Sequence, residues 1–299
     1  MVVEKPETLD KELQSEKRSR LLKKIVINTI LIIGAAFMLT PLLWMVATAL
    51  SPNTVVPSTS LIPHNLTFEN FVAAWNFPKA FSPDPTHPIT MGTFFKNSLI
   101  CTAAITTLGI LVDSLAAYVL AFKDFPGKRL FIFLALATMM IPFYVTLVPE
   151  YLIIRKLGWI NTYKAMIIPF LASGMGISLF RSHFLGLSRE LEESAKIDGA
   201  SDFRVYLTII MPISRPVIGT MAILKAMWSW NQYMWPLIVS TDISMKPIQV
   251  ALNMFRGLNL TEWGYLCAGM TMAILPLVIV FLCAQKQFIG GLQAGAVKG

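Results

Sequence analysis

Charge is scarce in this chain: 14% of its 299 residues are Asp, Glu, Lys or Arg, against about 25% in an ordinary soluble domain. A surface that poor in charge must largely face something other than water. Histidine is nearly missing too, and His64, His87 and His183 lie far apart without ligand spacing. The three cysteines, Cys101, Cys267 and Cys283, are odd in number, sit in or beside apolar stretches and form no C-x-x-C pair. Neither a disulfide framework nor a zinc site has the spacing it needs. No G-x-x-x-x-G-K-[ST] occurs, so the chain has no P-loop with which to hold nucleotide phosphates. There is no internal repeat of roughly 20–50 residues and no low-complexity tract.

Apolar sequence is what abounds, at 55% of residues. Six runs read as membrane helices: Ile25–Leu50, Asn97–Phe122, Leu130–Ile154, Ala165–Phe180, Val217–Val239 and Leu266–Ala284. About 20 helical residues, at ~1.5 Å rise each, cross the ~30 Å hydrocarbon layer. The fourth run is short and rich in Gly and Ser, a composition that suits close packing of membrane helices. Ala47-Thr48-Ala49 mimics a signal-peptide cleavage site, but the first run is longer than a signal core and more spans follow. The chain therefore divides into an N-terminal tail (1–24), a six-helix domain (25–284) and a C-terminal tail (285–299).

The net charge of +8 is distributed around these runs. With the N-terminus inside, segments 1–24, 123–129, 181–216 and 285–299 hold 17 basic residues and the outer segments hold seven. That asymmetry predicts two cytoplasmic termini, and it reads as membrane orientation rather than nucleic-acid binding. The outer loop 51–96 contains seven of the 18 prolines, which discourages regular helix and predicts an irregular cap. Residues 240–265 form the second large outer loop.

Asp113 and Lys225 fall inside predicted spans, where ionisable groups are costly unless paired or facing a cavity. Each lies eight or nine residues from the inner end of its span, ~12–14 Å deep. They are expected to pair, or both to face an aqueous pathway. Trp228, Asn231 and Trp235 recur at helical spacing in the fifth run. Aromatic faces beside an amide suit sugar rings, but helix packing with interfacial anchoring of Trp235 is the favoured account.

The inner loop 186–216 reads GLSRELEESAKIDGASDFRVYLTIIMPISRP. Strong helix formers with acids near the start follow the N-cap candidate Ser188, with Leu191, Ala195 and Ile197 available for one apolar side. Gly199 can turn the chain, and Ser201 or Asp202 can cap a second helix carrying Phe203, Tyr206, Leu207 and Ile210. Pro212 and Pro216 end it. The result is a small helical hairpin projecting from the membrane, either a docking element or a satisfied surface turn.

This loop resembles the EAA motif of permease subunits in binding-protein-dependent ABC importers. Glu193, Ser194 and Ala195 are followed by Gly199 and then by Ile209, Met211 and Pro212 at the motif's spacing, with Asp198 and Ala200 completing a D-G-A core. Ser194 stands where the motif has alanine, and Met211 where it has leucine. The tail Gln287–Gly299 and the run Trp230-Asn231-Gln232-Tyr233-Met234-Trp235-Pro236-Leu237-Ile238 are similar to the carbohydrate-uptake, maltose-type group of that family. The resemblance implies an all-α integral membrane protein, with the six-helix, type I (MetI-like) importer permease fold, in a bacterial or archaeal cytoplasmic membrane. It implies that Glu193, Ser194, Ala195, Asp198, Gly199, Ala200, Phe203, Ile209 and Pro212 form the joint with an ATPase dimer. Gly290, Gly291, Leu292 and Gln293 would reach that ATPase as well. A second homologous permease and an extracytoplasmic solute-binding protein complete the expected partners. ATP and magnesium would be bound by the ATPase, leaving this chain without a cofactor and without catalytic residues. The expected cargo is a sugar or oligosaccharide; a peptide, amino acid or phosphate ester is the alternative. A polytopic membrane enzyme would need clustered His, Asp, Glu or Cys at the membrane face, which the sequence does not supply.

Overall fold

A computed structural model describes residues 6–52, 60–63, 65–86, 88–256 and 261–296, with side chains between Glu16 and Leu282 except at Lys17. Among the described residues the chain is helical, with no strand beyond one isolated bridge, Arg256 to Thr261. In chain order the helices are α1 (Pro6–Ala49), α2 (Glu69–Asn76), α3 (Met91–Phe122), α4 (Lys128–Thr138), α5 (Phe143–Lys156), α6 (Tyr163–Ile167) and α7 (Gly174–Leu185). They continue as α8 (Glu190–Ile197), α9 (Asp202–Val205), α10 (Met211–Ile213), α11 (Arg215–Trp230), α12 (Met234–Val239), α13 (Ile248–Ala251) and α14 (Trp263–Ala296).

Three stretches, Arg18–Ala49, Met91–Phe122 and Trp263–Leu282, are long and apolar enough to cross a bilayer in one piece. Three bent helix pairs raise the number of candidate spans to six. The expected third and fourth runs are not continuous. The third breaks between α4 and α5 with a bend of 104°, because Pro142 has no N–H for the ladder and holds an extended backbone at ψ 134°. The fourth turns by 41° between Phe170 and Gly174. The fifth run also stops, at Trp230, and resumes at Met234.

At the bundle's centre α3 packs between α7 and α11, and α11 in turn contacts α14. Helix α1 touches α14 through Trp44–Ala49, while most of its apolar length from Leu21 to Leu43 is exposed, as expected of a helix bathed in lipid. Close approach of α4 to α7 depends on Gly174, where a Cβ would lie 2.1 Å from the Ala135 carbonyl oxygen.

The end of the bundle opposite the 186–216 hairpin is covered by both large loops. The proline-rich loop 51–96 is not wholly irregular: α2 forms in its proline-free middle, with Glu69 in its first turn. Asn70 is buried there and donates to the carbonyls of Ala49 (3.0 Å) and Ser51 (2.6 Å). Loop 240–265 folds inward, with Ile248, Val250, Ala251, Leu252 and Phe255 buried. Asn97 pins it by donating to the carbonyls of Ser244 and Lys246.

Candidate functional site

The hairpin is shaped by its caps. Ser188 Oγ accepts from Glu190 N at 3.2 Å, and Glu190, Glu192 and Glu193 place negative charge at the positive end of α8. At the other end Gly199 takes φ +80°. Its N–H donates to Lys196 O (3.0 Å), and the Ala200 N–H donates to Ala195 O (2.9 Å). This is the paired closure of a left-handed helix terminus, which glycine adopts without Cβ strain. Ser201 then caps α9, its Oγ accepting from Arg204 N. A wide turn over Tyr206–Ile210 links α9 to α10, and the backbone swings 82° into α11.

The hairpin's buried side differs from the apolar one expected. Leu191 is part-exposed and Ile197 is 86% exposed, while Ala195 and the carboxylate Glu192 face inward. Glu192 can be buried because two ammonium groups meet it: Lys123 at the end of α3, and Lys196 at 2.9 Å. Lys123 also reaches Asp202 at 2.6 Å. Burial alone would raise the Glu192 carboxyl, yet hydrogen bonds from Lys123 and Lys196 hold it below the usual range. Asp202 is lowered chiefly by its hydrogen bond from Lys123. Burial opposes charge on Lys123, but its bonds to Asp202 and Glu192 overcome that and raise it. Beneath this network Val205, Tyr206 and Ile210 are buried, and the Tyr206 hydroxyl lies 2.8 Å from Ser114 Oγ on α3. The hairpin is thus fastened to α3 by apolar burial and four interlinked charges. Its exposed surface carries Glu193, Ser194, Asp198, Gly199, Phe203 and Pro212; Ala200 and Ile209 are half-buried. Phe203 is 59% exposed and stacks on Tyr206.

Halfway along the bundle, Lys225 Nζ lies 2.9 Å from Asp113 Oδ2, with the two side chains 7% and 0% exposed. The carboxylate also accepts from Ser173 N (2.8 Å) and Ser173 Oγ (2.7 Å). Ser173 sits in the break of the fourth span, and its own Oγ accepts from Gly176 N. Asp113 therefore caps the N-terminus of α7 from a neighbouring helix, and Lys225 balances its charge. The backbone of α7 comes close enough for this only because residue 176 has no side chain: a Cβ there would stand 1.9 Å from Asp113 Oδ2. Two ionisable residues could be found from the sequence; Ser173 and Gly176, 60 and 63 positions from Asp113, carry no local signal.

The three residues at helical spacing in the fifth run do not share a face. Trp228 is 45% exposed and Asn231 lies on the surface, whereas Trp235 is fully enclosed. Trp235 packs edge-on against Phe170 and donates from Nε1 to Ala165 O at 2.9 Å. The interruption at Asn231–Tyr233 rotates α12 relative to α11 and separates them. The tail residues Gly290, Gly291, Leu292 and Gln293 lie on α14, but their side chains are outside the described residues. No group of three or more His, Cys, Asp or Glu among the described residues could hold a metal ion.

Apolar helices broken around a buried ion pair, with a capped helical hairpin at one end, are the build of a polytopic membrane protein. Residues 106–289 match the family described as "Binding-protein-dependent transport system inner membrane component". The chain belongs to that family and has its all-helical, MetI-like permease fold. It is 38% identical over 262 residues to "Probable ABC transporter permease protein YurM" of Bacillus subtilis, covering 87% of this chain and 83% of that one. It is 34% identical over 284 residues to "Arabinooligosaccharides transport system permease protein AraQ" of Halalkalibacterium halodurans, covering 92% and 98%. Among solved structures, a chain of a bacterial ABC transporter involved in import of the acidic polysaccharide alginate superposes with a TM-score of 0.78 at 24% identity, covering 91% of this chain and 98% of that one. The chain is thus a permease of a binding-protein-dependent ABC importer rather than an enzyme, and an inner-membrane component.

Proposed function

We propose that this chain forms half of the translocation pathway of an ATP-driven sugar or oligosaccharide importer and takes its mechanical input through residues 186–216. The observation that carries this is the hairpin itself: closed at Gly199, capped at Ser201 and bound to α3 by Lys123, Glu192 and Asp202, it is built to move with the bundle. Its outer surface presents Ile197, Phe203 and Leu207, all exposed, to a partner. Phe203, Gly199, Ala200 and Ser194 would meet the ATPase closely, with Glu193, Asp198, Ile209 and Pro212 at its margin; Ala195, expected at this joint, is instead turned into the hairpin's own apolar core. Closure of an ATPase dimer would push this lever, and α3 and α11 would rock with it, opening the pathway to alternate sides in turn.

The sugar assignment draws on the likeness to the arabinooligosaccharide permease and on the aromatic and amide side chains along α11. ATP and magnesium reside on the ATPase subunits, a second permease supplies the other half of the pathway, and an external binding protein docks on loops 51–96 and 240–265. The 17-to-7 distribution of basic residues supports both termini on the cytoplasmic side, where the tail from Gly290 to Gln293 would also meet the ATPase.

The test is cross-linking of Phe203→Cys in a background without the native cysteines. The complex should bring an ATPase and a related permease through purification, and a thiol cross-linker should join residue 203 to the ATPase. Labelling of that cysteine by an impermeant reagent from outside intact cells would overturn the assignment.

A further inference from the structure

The importer reading leaves the groove beside α11 without a specified occupant, and its lining is chemically selective. Two cavities share Trp228 as a wall. One, of about 520 Å³, is bounded by Tyr144, Trp228, Asn231, Gln232 and Tyr233. The other, of about 440 Å³, lies deeper, against Phe170, Ser173 and Lys225. Asn231 is six residues beyond Lys225, about 9 Å along the helix axis.

The upper cavity lies where α11 has ended and α12 has not begun. Asn231 Nδ2 turns back to Met227 O at 2.8 Å, and Gln249 Nε2 approaches Asn231 Oδ1 at 3.5 Å. The Tyr233 hydroxyl accepts from Asn253 Nδ2. Gln249 and Asn253, from a separate segment, thus brace Asn231 and Tyr233, which line the cavity beside the exposed indole of Trp228. Within a bilayer, irregular backbone and amides do not face lipid; they line space that water or a solute fills. Broken helices are where membrane transporters place solute.

Ring faces beside amides and a phenol fit a saccharide, whose C–H face stacks while its hydroxyls exchange hydrogen bonds. Charge is the discriminating property. The one ionised side chain lining either cavity is Lys225, and Asp113 holds its ammonium at 2.9 Å. A carboxylate or phosphate entering the groove would lose water and find no free cation on this chain's side of it.

Resting on the importer reading, we propose that Trp228, Asn231 and Tyr233, the last two held by Gln249 and Asn253, form a subsite for one uncharged saccharide ring, and that the cargo is a neutral glycan rather than a uronate or phosphate ester. The subsite holds the ring after release from the binding protein, with Trp228 as the stacking face and the Tyr233–Asn253 pair as the hydroxyl partner.

The test uses the complete complex and its binding protein in proteoliposomes. The neutral probes are maltotriose and arabinotriose; the charged probes are sn-glycerol 3-phosphate and a mannuronate trisaccharide. A neutral probe should be taken up and the charged probes should not. Trp228→Ala and Tyr233→Ala should each lower the maximal uptake rate about tenfold, with half-saturation, set by the binding protein, changed less than about twofold. Trp228→Phe should restore most of the rate, and Leu99→Ala, on the exposed face of α3, should behave as the parent. Uptake of charged probes alone, or parental rates in both alanine variants, overturns the subsite. Loss of the second permease from either alanine variant also overturns it, by showing that the groove is a subunit contact. Failure to take up any probe strikes at the importer reading first, and the subsite falls with it.

Discussion

Removing the ammonium of Lys225 tests whether the mid-bundle pair holds the broken fourth span together. In Lys225→Met the stem is replaced by apolar volume, but Asp113 stays at 0% exposure without its counter-ion at 2.9 Å. Breaking a buried pair from one side costs about 3–5 kcal/mol. The lower part of that range is expected, because Ser173 still donates from its N–H and its hydroxyl, and bonds to a charged group contribute about 1.5–3 kcal/mol each. Asp113→Asn alone leaves the cation buried and should cost about 3 kcal/mol. The double variant has no charge to strand, and the asparagine Oδ1 can still accept from Ser173 N. It should cost about 1–2 kcal/mol, the loss of a single hydrogen bond to a charged group. The coupling in a double-mutant cycle is therefore about 4 kcal/mol, the two single losses together less that of the double variant. Unfolding of the purified protein in mixed micelles measures it. Additivity of the two single changes within about 0.5 kcal/mol would refute the argument, since independent sites add to that tolerance.

Gly176→Ala should destabilise by about 1–3 kcal/mol, because its Cβ would stand 1.9 Å from Asp113 Oδ2. Gly174→Ala should be at least as damaging, since it meets a backbone carbonyl 2.1 Å away that cannot swing aside; thermal unfolding of both variants checks this. Lys123→Met should weaken the hairpin's attachment by about 1 kcal/mol, less than a full charged hydrogen bond because Lys196 remains beside Glu192. Faster hydrogen exchange over residues 190–206 and fewer solutes moved per ATP would show it. The same exchange measurement has a defined pH course. Glu192 and Asp202 titrate below their ordinary values of 4.5 and 3.8, so their stabilisation is present above those values and is lost as pH falls through the still lower folded ones. Lys123 is raised above its ordinary 10.5, so its share is complete below that value and is lost only above the raised one. Protection should be level from about pH 5 to 10 and should decline below about 4; a decline centred near neutrality would contradict the network.

Local chemistry in the chain carries much of this protein. Six apolar runs announce a membrane domain because hydrocarbon solvates no backbone polar groups, and a span must satisfy them within itself. The cap at Ser201 and the turn at Gly199 are legible for a similar reason: each is closed by atoms within five residues, whereas α8 begins from Arg189, one residue after the expected cap Ser188. Asp113 and Lys225 stand out as ionisable groups in apolar surroundings. What the residues could not disclose are the partners brought from afar. Hydropathy does not register the breaks at 139–142, 171–173 and 231–233, since a bent span and a straight one are equally apolar. Only packing shows that Ser173 receives Asp113, that Glu192 is buried against Lys123, and that Trp235 is enclosed while Trp228 faces a groove. Periodicity ranks residues by face, but which face is covered depends on where the neighbouring helices run, and that is a property of the assembled bundle.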